Sequence, residues 1–278
     1  MAEFVGDYIV CNGLIKPAGE FGKWFGSPAK YIYEVFRVQE GIPVFIEDHL
    51  DRLWKTAGLE NISLPFTREV LHNDILDLIQ ANSGRNGNVK IFINFPADSL
   101  AFRLVYFNPH QYPTPEQFLN GVRLSLFFAT RNNPNAKVMD VLLRSNTDNF
   151  KAENDVYEVL LVDHNGNITE GSRSNVFFII NEQLITPPVH TVLEGVTRKH
   201  ILQICAEKQI PFIERTFHVN ELAEANAVFI SGTSRRVLPA SKIDDHTYDP
   251  NHPLLRKLQH LLELKVNEYL CSKAALAK

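Results

Sequence analysis

Asp163-His-Asn-Gly-Asn-Ile-Thr-Glu170-Gly171-Ser-Arg-Ser-Asn175-Val-Phe177 is the stretch on which the reading of this chain turns. Its Asn165-Gly166 pair is a strong tight-turn signal, because both residue types tolerate the positive φ such a turn requires. The pair lies between two apolar, β-branched runs, Val156 to Val162 and Val176 to Ile180. Both are predicted as strands, with a third at Gln183 to Ile185. Taken alone, a glutamate just beyond an Asn-Gly turn, as Glu170 is, reads as a solvated loop residue.

Downstream, the pattern predicts a helix from about Thr197 to Lys208, strands at Pro211 to Arg215 and Ala227 to Ser231, and a final amphipathic helix over Leu254 to Leu270. Upstream, a strand at Val122 to Thr130 precedes a turn-prone Arg131-Asn-Asn-Pro-Asn135 and a helix from about Val138 to Ala152. Before these, Asn108-Pro-His-Gln-Tyr-Pro-Thr-Pro115 carries three prolines in eight residues and can continue neither a helix nor a central strand. It marks the boundary between a small N-terminal α/β domain, residues 1–112, and a larger C-terminal α/β domain, residues 113–278. In the first, Tyr31 to Val38 and Ile42 to Phe45 form a predicted hairpin about Gln39-Glu40-Gly41. A helix capped by Asp48 follows, with Leu50, Leu53, Trp54 and Ala57 at helical spacing. A second amphipathic stretch carries Val70, Leu71, Ile75, Leu78 and Ile79, and strands return at Val89 to Phe95 and Ala101 to Phe107.

With 278 residues, 45% hydrophobic and 22% charged, the chain is an ordinary globular one, which excludes disorder and small stapled scaffolds. Lys and Arg number 28 against 32 Asp and Glu, the net charge is −4, and no basic stripe is present, so nucleic acid is not an expected partner. Cys11, Cys205 and Cys271 lie far apart without a CxxC spacing. Neither a metal site nor a redox pair is read from them, and reduced thiols in a cytoplasmic location are expected. The N-terminus lacks a basic region followed by an apolar core, and no run of about 18 apolar residues occurs. Neither secretion nor a membrane partner is expected.

Beyond this point the order of motifs is informative. Tyr33-Glu34-Val35-Phe36-Arg37 and His49-Leu50-Asp51-Arg52-Leu53 are followed by the stretch quoted first, which resembles a "G-x-(I/V)-(S/T)-E-G-x-x-x-N-(I/L/V)-F" segment. Ile185-Thr-Pro-Pro188, Leu193-Glu-Gly-Val-Thr-Arg198 and Ser231-Gly-Thr-Ser234 with Pro239 come next, in order. Together these resemble the class IV (fold type IV) pyridoxal-phosphate enzymes, which include branched-chain aminotransferases, D-amino-acid aminotransferases and aminodeoxychorismate lyase. The resemblance spans roughly residues 33 to 240. It implies a two-domain, D-amino-acid aminotransferase-like α/β (α+β) fold of type IV, pyridoxal 5'-phosphate bound where the two domains meet, and a homodimer.

The resemblance also implies roles. Glu170 faces the pyridine nitrogen, and Arg52 binds the cofactor phosphate with a planar fork suited to it. Val196 and Thr197 offer backbone N–H groups at a helix start after Gly195, and Thr233 and Ser234 offer hydroxyls and N–H groups to the same phosphate. In relatives the Schiff-base lysine precedes the strand glutamate by about 21 residues; counting back from Glu158 in Tyr157-Glu158-Val-Leu-Leu-Val-Asp163 lands on Lys137, the only lysine between Lys90 and Lys151. Lys137 would also carry the proton at the substrate Cα. Tyr33 is the candidate contact for the substrate carboxylate.

Two segments depart from the family pattern. Where relatives carry a "Y-G-x-G-x-(F/Y)-E" segment, this chain reads Phe25-Gly26-Ser-Pro-Ala29-Lys30-Tyr31-Ile-Tyr33-Glu34, with a tyrosine in place of a small residue. The strand end Phe92-Ile-Asn-Phe-Pro96-Ala97-Asp98 lacks the arginine that usually holds the substrate carboxylate. Arg103, Arg144, Arg173, Arg235 or Arg236 could replace it. Asp140, three residues after Lys137, could tune that lysine. The leading expectation is an aminotransferase acting between an amino acid, branched-chain or of D type, and a 2-oxo acid. The alternatives are aminodeoxychorismate lyase, which releases pyruvate, and a diverged cofactor-binding member without turnover.

Overall fold

The computed structural model describes residues 4–22, 31–95, 101–131 and 133–276. The chain forms two compact units. The first takes the described residues up to Gln111, then Ala136–Met139 and the chain from Val266 on; the second takes Tyr112–Asn135 and Asp140–Lys265.

The first unit is a six-stranded sheet in the order β2-β1-β6-β5-β3-β4. Its strands are β1 (Val5–Cys11), β2 (Leu14–Pro17), β3 (Tyr31–Gln39), β4 (Ile42–Pro43), β5 (Gly87–Asn94) and β6 (Phe102–Asn108). The hairpin expected at Gln39-Glu40-Gly41 forms, with Glu40 and Gly41 both at positive φ. β3 and β5 pair in unbroken antiparallel register from Tyr31 with Asn94 to Val38 with Gly87. Period-two alternation turns Ile32, Phe36 and Val38, together with Val89, Ile91 and Ile93, toward helices α1 (Ile46–Leu59) and α2 (Arg68–Ala81). There they meet Leu50, Leu53, Ala57, Leu71, Ile75 and Leu78 in one core, each large apolar side chain contributing about 1.5–3 kcal/mol by leaving water.

Two expectations change in this unit. Asp48 is not the cap of α1: the helix starts at Ile46, and Phe45 takes the N-cap position in the left-handed region (φ 54°) without a side-chain cap bond. The Phe45 ring packs edge-on against Tyr269 at 4.9 Å and Ile46 is buried, so packing sets the start and leaves Asp48 in the first turn, where it complements the helix dipole. Strands β1 and β2 have no counterpart in the sequence reading, because Gly6, Asp7 and the turn at Asn12-Gly13 break the apolar run.

The second unit is a ten-stranded mixed sheet with the path β12-β11-β10-β14-β15-β7-β8-β9-β13, β16 adding to β15. The strands are β7 (Val122–Phe128), β8 (Glu158–Val162), β9 (Asn167–Gly171), β10 (Asn175–Ile180), β11 (Gln183–Thr186), β12 (Phe212–Glu214), β13 (Phe217–His218), β14 (Ala227–Gly232), β15 (Arg236–Ile243) and β16 (His246–Thr247). Phe177 and Ile179 face α5 (Val196–Glu207) and the leucines 254, 255, 258 and 262 of α6 (Pro253–Leu276); Val176 and Phe178 join Phe217 and Tyr248 on the other face. The last proline of the segment at 108–115 opens a short helix, α3 (Pro115–Asn120), with a Thr114–Gln117 capping box, the one helical position where a proline costs nothing.

The helix expected from Val138 is shorter. α4 runs Val141–Asn154, capped by Asp140, whose Oδ1 accepts from Leu143 N–H at 2.9 Å. Val138 forms a bridge with Ile32 of β3, and that pairing keeps residues 137 to 139 out of the helix.

Candidate active site

In the first unit, Lys137 is fixed by its backbone. Its N–H donates to Thr56 Oγ1 at 3.2 Å, and its carbonyl accepts from Tyr33 N–H at 3.3 Å. The ammonium Nζ lies 5.0 Å from the centroid of the buried Tyr33 ring, within cation–π range. The structure thus brings together Lys137 and Tyr33, which are more than one hundred residues apart in sequence.

Arg52 sits on the buried side of α1, where Glu34 projects from β3 among Ile32, Phe36 and Val38. Arg52 Nε donates to Glu34 Oε1 and Nη2 to Oε2, both at 2.7 Å, a two-pronged pair. His49, three residues before Arg52 and on the same helix face, places Nδ1 3.0 Å from Glu34 Oε2; since a carboxylate only accepts, Nδ1 carries the proton. Burial opposes ionisation of Glu34, but the charge and hydrogen bonds of Arg52, with His49 and Lys137 adding to them, hold its carboxyl well below the usual range. Burial pushes the His49 ring down, only partly offset by Glu34. The sequence reading gives neither Glu34 nor His49 a role. The signal available is a charge at a core position of an alternating strand, followed by His and Arg on one helical face.

In the second unit, Glu170 lies in a β-bulge. Leu160 of β8 opposes Gly171 and Val162 opposes Ile168, so β9 carries one residue more than its partner just where Thr169 and Glu170 stand. A bulge re-aims the side chains it contains. Glu170 is buried, not solvated; its Oε2 accepts from Leu193 N–H at 3.1 Å, and Arg131 Nε stands 3.2 Å from Oε1 as an ion pair without hydrogen-bond alignment. Arg131, read from sequence only as part of a turn, also donates to the Ser172 carbonyl at 2.9 Å.

Leu193 is gripped twice, because its carbonyl accepts from Asn175 Nδ2 at 2.9 Å. Those two bonds fix the entry to α5, which begins at Val196 behind Gly195 with no side-chain cap. The first-turn N–H groups of Val196 and Thr197 therefore form an anion-attracting helix terminus. A Cβ on Gly195 would collide with Asn175 Oδ1. Gly195→Ala is accordingly expected to lower stability by about 1–3 kcal/mol through overpacking, read as a fall in the thermal unfolding midpoint. Thr233 and the buried Ser234 occupy the turn between β14 and β15.

Four of the five arginines considered as carboxylate anchors are committed to acidic partners. Arg103 pairs with Asp74, Arg173 with Asp148, Arg236 with Glu263, and Arg235 with the buried Glu158 at 3.1 Å. Glu158 also accepts from Ser172 Oγ at 2.5 Å. Asp140 serves as a helix cap. The segment from Phe25 to Lys30 and the residues Pro96, Ala97 and Asp98 lie outside the described residues.

Residues 31–243 match the family described as Amino-transferase class IV, and the chain belongs to that family. It is 29% identical over 245 residues to a D-alanine aminotransferase of Bacillus licheniformis, covering 84% of this chain and 86% of that protein. A branched-chain aminotransferase from the thermophilic archaeon Thermoproteus uzoniensis, solved with norvaline, superposes with a TM-score of 0.81 at 20% identity, covering 93% of this chain and 94% of that one. A Legionella pneumophila protein described as a 4-amino-4-deoxychorismate lyase superposes with a TM-score of 0.75 at 23% identity, over 84% of this chain and 90% of that one. The fold is the two-domain α/β fold of type IV aminotransferases.

Proposed function

We propose that this chain is a pyridoxal-phosphate-dependent aminotransferase that moves an amino group between an amino acid, branched-chain or of D type, and a 2-oxo acid. The observation that carries the reading is Lys137, a lysine whose backbone is held between Thr56 and Tyr33 while its Nζ stays over a tyrosine ring.

The donor set suits the cofactor. The first unit supplies a lysine amine for a covalent link and an arginine fork held in place by two bonds to Glu34. The second supplies a buried carboxylate suited to a ring nitrogen and an uncapped helix start behind a glycine that must stay bare. On this reading Arg52, Val196, Thr197, Thr233 and Ser234 hold the phosphate, Glu170 faces the pyridine nitrogen, and Tyr33 walls the substrate side. Bound there, pyridoxal phosphate supplies an electron sink for the carbanion formed at the substrate Cα. Lys137 Nζ would take the proton from that carbon and carry it to C4′ of the cofactor, the transfer on which amino-group exchange depends.

The test is peptide mapping after borohydride reduction of the protein loaded with pyridoxal phosphate. A phosphopyridoxyl mass on Lys137 is expected, and no adduct there, or one on Lys151, would overturn the assignment. Amino donor alone should then bleach the bound cofactor; stoichiometric pyruvate from aminodeoxychorismate without an amino acceptor would replace the aminotransferase reading with the lyase one. A homodimer and a cytoplasmic location belong to the same proposal, and sedimentation equilibrium tests the first.

A further inference from the structure

The arginine beside Glu170 is bonded differently from the one beside Glu34. In the first unit Arg52 forks both oxygens of its carboxylate. In the second, Arg131 Nε stands 3.2 Å from Glu170 Oε1 without hydrogen-bond alignment, and the directed bond of the guanidinium, from Nη2 at 2.9 Å, goes to the Ser172 carbonyl. Arg131 therefore holds the bulged strand on both sides of Gly171 and brings charge to the carboxylate without forking it. The other oxygen, Oε2, is oriented by Leu193 N–H at 3.1 Å. Arg131 owes its own position to the sheet. Just past β7, Ala129 N–H donates to the Val162 carbonyl of β8 at 3.0 Å, so the chain comes to Arg131 still bonded to the strand that pairs with β9. The two side chains are 16% and 4% exposed, so little water screens them.

A carboxylate taken out of water binds a proton unless a nearby charge offsets the loss of hydration. A guanidinium supplies that charge at every pH a folded protein meets. A proton shared between a buried carboxyl and a pyridine nitrogen can rest on either. A cation touching the carboxyl stabilises the arrangement in which the carboxyl is the anion, and does nothing for the neutral pair. We infer that Arg131 is the positioning residue that keeps Glu170 ionised and thereby settles the proton on the ring nitrogen of a bound pyridine cofactor. This inference rests on the reading above, in which Glu170 faces that nitrogen. It places control of the cofactor's electron-withdrawing power one contact behind the glutamate, on a residue that the sequence shows only as part of a turn.

The test titrates the full chain, freed of cofactor, with pyridoxamine 5'-phosphate, which forms no covalent link to a lysine, and with its 1-deaza analogue, in which carbon replaces the ring nitrogen. The ratio of the two affinities, read by calorimetry, measures what the nitrogen gains. Arg131→Gln keeps an N–H donor without the charge and should cut that ratio about tenfold or more, the loss of one charge-assisted bond. Arg131→Lys keeps the charge and should keep most of the ratio. Nitrogen-15 NMR of the ring-labelled ligand should show a protonated nitrogen in the unaltered protein and in Arg131→Lys, moving to the unprotonated position in Arg131→Gln. An arginine that only braces the bulge would weaken both ligands alike. A ratio unchanged in Arg131→Gln, a parallel loss of both ligands, or an unprotonated nitrogen in the unaltered protein would overturn the assignment, and the last holds even if Arg131→Gln does not fold. Glu170→Gln separates this failure from that of the wider reading. It should abolish the preference for the nitrogen ring, and adding Arg131→Gln to it should change the ratio no further. A preference that needs Glu170 but not Arg131 sinks only the role of Arg131. A preference absent from the unaltered protein, or indifferent to Glu170→Gln, sinks the placement of Glu170 at the ring.

Discussion

Lys137→Ala is expected to lower turnover by at least about 10⁴-fold, because on the proposed reading it removes both the covalent partner of the cofactor and the base at the substrate Cα. The same change should leave the protein folded. Two backbone hydrogen bonds tie residue 137 to its surroundings, from its N–H to Thr56 Oγ1 and from Tyr33 N–H to its carbonyl, and alanine keeps both. The side chain contributes a half-buried ammonium over a ring, worth about 0.5–1 kcal/mol. A steady-state assay beside a thermal melt checks the pair of claims. Residual activity above about one percent of the unaltered protein would mean that another group does the proton transfer. A collapse of the melting midpoint would mean that the ammonium is structural.

Glu34→Ala is expected to have the largest effect on stability, about 3–5 kcal/mol, because it leaves the buried guanidinium of Arg52 without its carboxylate. Glu34→Gln keeps one acceptor oxygen but loses the charge and the second acceptor, and its loss of stability should lie between zero and that of Glu34→Ala. The pH dependence of unfolding identifies the groups responsible. Glu34 has a depressed pKa in the folded protein, so its contribution is full above the unfolded carboxyl value, about 4.3, and is lost as pH falls below it. His49 is held neutral by burial, so the unfolded chain takes up a proton below about pH 6.5 that the folded one resists, and stability again declines toward acid. The unaltered protein should therefore lose stability in two stages on acidification, with the lower stage weakened in Glu34→Gln. Identical acid profiles for the two proteins would remove Glu34 from this account.

Much of this arrangement is legible in the sequence wherever a local rule and a tertiary one agree. The β3–β4 hairpin and α2 follow from a turn pair and an apolar period, and the core they build uses those same side chains, with the exception of the exposed Val70. The start of α4 differs from its expected place because Val138 is drawn into a bridge with β3, a pairing that no local propensity announces. Taken alone, without the resemblance, Glu170 reads as a solvated turn residue, because the bulge in β9 that re-aims its side chain leaves no local mark in the sequence. The partnership of Glu34 with His49 and Arg52 is hidden for another reason. Each residue is ordinary on its own element, and only the packing of α1 on β3 makes the three a single buried group. The commitment of four arginines to carboxylates is likewise invisible in sequence, where all five candidates look equally available.

The four-residue excursion Ala136–Met139 into the first unit, with the chain on both sides belonging to the second, bears on how relatives can be recombined. A chimaera joined near residue 112 would take Thr56 and Tyr33 from one parent and Lys137 from the other, so the lysine would depend on the other lineage for the hydroxyl that accepts from its N–H and for the ring under its ammonium. Crossovers that graft residues 136 to 139 together with the N-terminal segment keep those two contacts within one lineage. Shuffled libraries built on this scaffold should accordingly yield active progeny with the second design far more often than with the first.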